Sequence, residues 1–220
     1  MPAAVREITP PGVAGQQSYT GFGFRPVALI SFSSKRGATG SAATAQMALG
    51  FASSGINRVM IKYENLDADP APNATHQMSE KAGGNLVSEF DVVSFDADGL
   101  TLDWSGADTE FVTLLALGGG GLQAKAGYFN VTTPTGAQAI TGVGFQPEVV
   151  LFLHTGRPDF VSSATDTGVI AVGASDGTND RHAAMGSSFA GAGLSGEGRN
   201  FRDDACIGYS DGSGATLIRC

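Results

Sequence analysis

The stretch Thr20-Gly-Phe-Gly-Phe-Arg-Pro26 runs straight into the apolar Val27-Ala-Leu-Ile-Ser-Phe32. It returns as Thr141-Gly-Val-Gly-Phe-Gln-Pro147, ahead of Val149-Val-Leu-Phe-Leu153. Five of the seven motif positions are identical, 121 residues apart. Two glycines spaced by one residue, Gly21 and Gly23 or Gly142 and Gly144, let the backbone take positive φ in a sharp bend. The phenylalanine that follows, Phe24 or Phe145, is a large apolar anchor. Pro26 or Pro147 then fixes φ where a strand begins and no ladder donor is needed. Phosphate-binding glycine loops lead into a helix. Here a strand-like run follows, so the motif reads as a corner between two strands.

The likeness extends beyond the motif. Gln17 has its counterpart in Gln138 at the same separation. Gly50 pairs with Gly173, and Asn57-Arg58 with Asp180-Arg181, at a separation of 123 that implies a two-residue insertion. The chain therefore reads as an N-terminal arm, 1–13, followed by two copies of one module, 14–134 and 135–220. The first copy goes on through residues 87–95, an Asp98-Gly99 turn, residues 100–104 and residues 110–117. The second reaches Cys220 before the equivalents of those strands. A sandwich missing three strands exposes its core and a bare sheet edge. The expectation is that the second module is incomplete, either truncated or completed by strands from another chain.

Local signals are those of an all-β protein. Short apolar runs such as Val59-Met-Ile-Lys-Tyr63 are rich in β-branched or aromatic residues and bounded by Gly, Pro, Asp, Asn or Ser. The continuous run 149–153 suits a strand buried on both faces. Two hairpins are predicted, one through Asp96-Ala-Asp-Gly99 and one through Asp176-Gly-Thr-Asn-Asp180. A strand is expected at 125–131, an exposed loop at 66–75, and loop or mobile surface over the glycine-rich 186–204. The best helix candidate is the Ala-rich 41–49, which Gly40 and Gly50 bracket and which is too short to stand as a helix alone. The fold expected is two tandem jelly-roll-like β-sandwich modules.

Composition narrows the function. The 220 residues carry 32 Gly, about twice the ordinary share, and a formal net charge of −8. Such a charge offers no counterion-releasing surface for nucleic acid. No apolar run approaches the length of a membrane helix, and residues 1–17 lack the apolar core of a secretory signal. Two cysteines frame neither a disulfide-rich module nor a four-ligand zinc site. Cys206 and Cys220 are compatible with a disulfide or with two thiols, and Cys206 reads as a small, partly buried strand residue.

No constellation points to catalysis. His76, His154 and His182 are far apart and show no metal-ligand spacing. Residues 96–99 resemble the start of a calcium loop but lack its later acidic ligands, so a hairpin turn is the reading. Asp67, Asp69, Asp203 and Asp204 read as solvated loop charges, a loop-bridging calcium ion being the alternative. Gly193-Leu-Ser-Gly196 lacks the pattern of a serine elbow. The sequence implies no enzyme activity and no cofactor.

The Gln-x-x-Thr-Gly-x-Gly-Phe-x-Pro lead (Gln17 and Gln138), Phe95-Asp-Ala-Asp-Gly-Leu-Thr-Leu102 and Phe111-Val-Thr-Leu-Leu-Ala-Leu-Gly118 together resemble modules in virion structural proteins of tailed bacteriophages. Those modules occur in tail, fibre and head-decoration components. The resemblance covers most of 14–134 and the first half of the second copy, and Leu100 stands where Phe is usual. It implies a β-sandwich and no catalytic residues. The expected function is a non-enzymatic virion structural protein, a tail, tip or fibre component, localised to the virion. It would be homo-oligomeric and would contact other virion proteins, with neither nucleic acid nor membrane insertion. The alternatives are a capsid decoration protein, or a module binding a host cell-surface glycan through Trp104, Tyr63, Tyr128 or Tyr209.

Overall fold

A computed structural model describes residues 1–34, 45–53, 58–65, 74–79, 83–84, 89–106, 111–129, 136–154, 162–164, 167–189, 195–210 and 216–219. The strands in chain order are β1 (Ala3–Ile8), β2 (Gly15–Thr20), β3 (Pro26–Ser33), β4 (Ala45–Ser53), β5 (Arg58–Asn65) and β6 (Ala74–Ser79). They continue with β7 (Gly83–Gly84), β8 (Glu89–Asp96), β9 (Gly99–Trp104), β10 (Val112–Gly118), β11 (Val150–His154) and β12 (Ser162–Ala164). The last are β13 (Thr167–Ser175), β14 (Asp180–Phe189), β15 (Ser195–Arg202), β16 (Gly208–Ser210) and β17 (Thr216–Arg219). Among the described residues there is no helix, and the sheets are antiparallel.

The chain divides into two compact units. One comprises Met1–Gly40, Ala48–Met60 and Ser79–Gln146; the other comprises Ser41–Met47, Ile61–Met78 and Pro147–Cys220.

In the first unit, β1, β10, β3 and β4 lie side by side in one sheet, and β2, β9, β8 and β7 in another. Residues 3–8, within the stretch read as an arm, are the edge strand β1, paired with β10 from Ala3↔Leu117 to Ile8↔Val112. Period-2 alternation supplies the core. Val112, Leu114 and Ala116 of β10 point inward with Leu29 of β3 and Ala52 of β4. From the other sheet come Leu100, Leu102 and Trp104 of β9 with Phe90, Val92 and Phe95 of β8, all in the same buried cluster. The Phe90 and Trp104 rings lie 4.9 Å apart at 55°, a tilted arrangement that favours an aromatic pair. Val92 and Phe95 are three residues apart yet both face inward, because the register shifts between Val92 and Ser94 and leaves Val93 exposed. That is a β-bulge. At the hairpin between β8 and β9, a Cβ on Gly99 would stand 1.9 Å from the Tyr19 carbonyl oxygen, so only glycine fits there.

In the second unit, β11, β13, β14 and β15 form a four-stranded sheet; β16 pairs with β17, and β12 with β6. Alternate residues of this sheet, among them Ala171, His182 and Ala184, are buried. The predicted Asp176 hairpin joins β13 to β14. Its carboxylate accepts the Asn179 side-chain amide at 3.0 Å and the backbone amides of Asn179 and Thr178 at 2.7 and 2.9 Å.

Several expectations change. Residues 45–49, within the best helix candidate, belong to β4: Met47 is exposed, Ala48 and Leu49 are buried, and Ala52 packs into the core. Pairing with β3 overrides alanine's helix propensity; residues 41–44 lie outside the described ones. The strand expected at 125–131 is irregular backbone over 125–129, with the Ala126 amide donating to Ser53 Oγ at 3.0 Å. Residues 130–131 lie outside the described ones. The loop expected over 186–204 is largely strand, since β14 continues to Phe189 and pairs with β15 through Gly186↔Gly198 and Ser188↔Gly196. Small residues on both strands hid the alternation. The run at 149–153 is not buried on both faces: β11 is a sheet edge, and Val149 and Leu151 are 61% and 47% exposed. Of the loop expected at 66–75, Ala74 and Thr75 belong to β6 and the rest lies outside the described residues.

Two measurements check this architecture. Leu114→Ala removes a fully buried side chain and is expected to cost about 2–5 kcal/mol in urea unfolding. Val5→Ala on the same sheet, where Val5 is 68% exposed, should change stability by no more than about 0.5 kcal/mol. The second concerns Asp176, which the Asn179 side chain and the turn amides hold down to about 2 from 3.8. Because the folded value is depressed, its contribution is present above the unfolded value and lost as pH falls from about 3.8 through about 2. A carboxyl NMR titration should place its midpoint near 2; a midpoint near 3.8 would show that the turn does not grip the carboxylate.

Candidate functional site

The glycine motif is a backbone clamp. Gly21 and Gly23 adopt φ of 83° and 77°, and this aims successive amides at one point, an arrangement that binds anions. The group they meet is the Asp98 carboxylate at the tip of the β8–β9 hairpin. The Gly21 amide donates to Oδ2 at 3.1 Å and the Gly23 amide to Oδ1 at 2.5 Å, while the Phe22 amide donates to the Asp98 carbonyl at 3.2 Å. Arg6 donates to the Gly21 carbonyl, and its guanidinium lies 5.6 Å from the centre of the buried Phe22 ring. Arg25 Nε donates to the Phe95 carbonyl at 2.9 Å. Phe24 packs against the core and Pro26 is fully buried at the start of β3.

The second motif has the same local backbone. Gly142 and Gly144 have φ of 83° and 87°, and Gly136 has 139° where Gly15, 121 residues earlier, has 136°. Among the described residues nothing lies within 4 Å of the space where a Cβ on Gly142 or Gly144 would point, as is true of Gly23. Phe145 is half-buried and Pro147 exposed. Asp98 was legible only as a turn residue: its contact with Gly23 spans 75 positions, and no local signal announces it.

The outer faces of the sheets differ. On β2, β9 and β8 the outer face is polar: Ser18 Oγ and Thr101 Oγ1 are 2.8 Å apart, and Thr101 and Ser94 donate to the Asp96 carboxylate at 2.8 and 2.7 Å. On β1, β10, β3 and β4 one outer row is apolar, Val5, Leu115, Ile30 and Phe51; the next runs Glu7, Thr113, Phe32 and the buried Leu49. In the second unit a row runs Leu153, Val172, Ala183, Phe201, with Phe201 73% exposed. The two pairings also share a register. Ser31 faces Gly50 as Phe152 faces Gly173, and Phe32 faces Leu49 as Leu153 faces Val172.

The remaining candidates are dispersed. His154 ends β11, and burial lowers its pKa. His182 is buried, with Nδ1 3.3 Å from the Ala205 carbonyl oxygen. The side chains of His76, Tyr63 and Tyr209 lie outside the described ones, as do residues Asp67, Asp69 and Cys220. Trp104 is buried in the core, whereas Tyr128 is exposed. Cys206 sits half-buried in a bend between β15 and β16 rather than in a strand. Burial raises the Tyr19 pKa, and its hydroxyl donates to the Thr9 carbonyl at 3.3 Å. Among the described residues no group of three or more His, Cys, Asp or Glu is placed to hold a metal ion. No family model matches this sequence, no curated protein matches it, and no solved structure matches the chain.

Asp98→Ala leaves the Gly21 and Gly23 amides without their acceptor. It is expected to lower unfolding stability by about 1–2 kcal/mol. It should also speed hydrogen exchange at those two amides well beyond the change at β10; equal protection in both variants would show that the clamp carries no energy.

Proposed function

We propose that this chain is a non-enzymatic structural protein of a tailed-phage virion, a tail, tip or fibre component. In this reading it contains two copies of one jelly-roll-like β-sandwich module and assembles with itself and with other virion proteins. The observation that carries the proposal is an apolar outer row in each unit, Val5, Leu115, Ile30 and Phe51 in the first and Leu153, Val172, Ala183 and Phe201 in the second, on β3–β4 and β11–β13 pairs that share one register. An antiparallel sheet that ends at water alternates apolar inside with polar outside, as β2, β9 and β8 do. Apolar residues grouped on an outer face favour coverage by another protein surface. The duplication draws support from the same register and from the matched φ values at Gly21 and Gly142, and at Gly23 and Gly144. Sparse charge, abundant turns and dispersed ionisable groups suit a scaffold. The glycan-binding alternative keeps Tyr128 as its exposed aromatic but loses Trp104 to the core.

Quantitative peptide mass spectrometry of purified particles, scaled to the major capsid protein, tests this reading. The expected result is a copy number of roughly three to a few tens, as cyclic tail symmetry requires. Hundreds of copies would move the chain to the capsid as a decoration, and absence from particles would overturn the virion reading.

A further inference from the structure

The two outer apolar rows carry opposite charges beside them. In the first unit Val5, Leu115, Ile30 and Phe51 line up across β1, β10, β3 and β4. Glu7, exposed and two residues along β1 from Val5, stands on the same face. Among the described side chains of those strands it is the one charged residue of that face. In the second unit Leu153, Val172, Ala183 and Phe201 line up across β11, β13, β14 and β15. Arg199, two residues from Phe201, and Arg181, two residues from Ala183, stand on opposite sides of that row, and both are exposed. Val5, on the edge strand β1, is 68% exposed, and Phe201, on the edge strand β15, is 73% exposed. Each row crosses four paired strands, about 14 Å at the ordinary strand spacing, so the two match in length.

The edges also share one hand. The Pro2 carbonyl accepts the Gly118 amide, so by alternation the outer-face residues Val5 and Glu7 turn their backbone amides away from β10. The Asp176 amide donates to the Asn179 carbonyl, and the same alternation, carried through β14, turns the amides of Phe201 and Arg199 away from that strand. With Val5 laid over Phe201 and β15 antiparallel to β1, Glu7 and Arg199 therefore fall on the same side of the joint. With Phe201 laid over Phe201, Arg199 instead falls beside Arg181 of the other copy.

Resting on the homo-oligomeric reading above, we propose that the first-unit row of one copy of this chain docks on the second-unit row of another, head to tail. The occupant of each face is a second copy. The sheets pack face to face through Val5, Ile30 and Phe51 on one side and Val172 and Phe201 on the other. Glu7 and Arg199 pair at the rim, where opposite charges fix register and like charges disfavour the row-on-itself arrangement. A contact of this heterologous kind repeats from copy to copy, closing into a ring or running on as a filament.

Sedimentation velocity of the full chain over a concentration series reads the contact, and species larger than a dimer are expected. Val5→Ser and Phe201→Ser each truncate an exposed apolar centre, so circular dichroism should not change, while association should weaken at least about tenfold. An equimolar mixture of the two variants is the discriminating test. The Val5→Ser copy keeps its second-unit row and the Phe201→Ser copy keeps its first-unit row, so the mixture should form heterodimers with the original affinity and nothing larger. Glu7→Arg should weaken association, and adding Arg199→Glu to it should restore most of the loss. A monomer at every concentration overturns the contact, as does association that only one of the two serine variants weakens or that mixing fails to restore. Presence in particles with a monomeric chain overturns the head-to-tail contact alone. Restoration on mixing with absence from particles upholds the contact and overturns the virion reading.

Discussion

The first unit depends on burying one hairpin. β8 and β9 carry Phe90, Val92, Phe95, Leu100, Leu102 and Trp104 onto Leu29, Leu114 and Ala116 of the facing sheet. Each fully buried large apolar side chain contributes about 1.5–3 kcal/mol, set against the entropy of ordering the strands. The partners are distant in sequence: Gly15 meets Trp104 and Leu29 meets Ala116. Closing such loops costs little more than closing shorter ones, so register is the harder problem. A slip of one residue would turn Leu100 and Leu102 to solvent. The glycine clamp answers it, because Asp98 fits the amides of Gly21 and Gly23 in one register only, and Gly99 lets the hairpin pass against Tyr19.

What was legible in the sequence was whatever local chemistry decides. Pro26 and the β-branched run after it marked β3, Asp98-Gly99 marked a tight turn, and Asp176 to Asp180 marked another. What was illegible was decided by neighbours. β4 is rich in alanine because small residues suit its inner face between large ones, and that composition looks helical in isolation. β14 and β15 are rich in Gly and Ser, so no hydrophobic period marks them, yet their pairing is regular over eight residue pairs. The continuous apolar run at 149–153 suggested burial on both faces, but burial there depends on whether a second strand is present. The candidate site divides the same way. The two glycines were visible as a bend, whereas the carboxylate they hold lies far along the chain.

The two motifs separate what a turn owes to its own sequence from what it owes to its surroundings. Gly142 and Gly144 reach nearly the same φ as Gly21 and Gly23, and among the described residues Asp98 bonds only the latter pair. The bend is therefore a property of glycine spacing and the following proline. Burial behaves otherwise. Phe22 and Pro26 are buried where the hairpin covers them, while Val143 is half-exposed and Pro147 exposed.

Apolar residues on an outer face carry a second consequence. A lone exposed Val or Phe is ordinary, but Leu153, Val172, Ala183 and Phe201 align across four paired strands. Cross-strand alignment makes a ridge of neighbouring side chains rather than a scatter of them. Charged side chains flank the ridge without interrupting it: Arg181 and Arg199 sit on the same face, and Arg181 is turned to the carbonyls of Asp180 and Asp203. The stripe is thus apolar along its length and cationic beside it. In the first unit Val5, Leu115, Ile30 and Phe51 form the corresponding row, beside Glu7 instead. The two rows are therefore alike in apolar character and differ in the charge beside them.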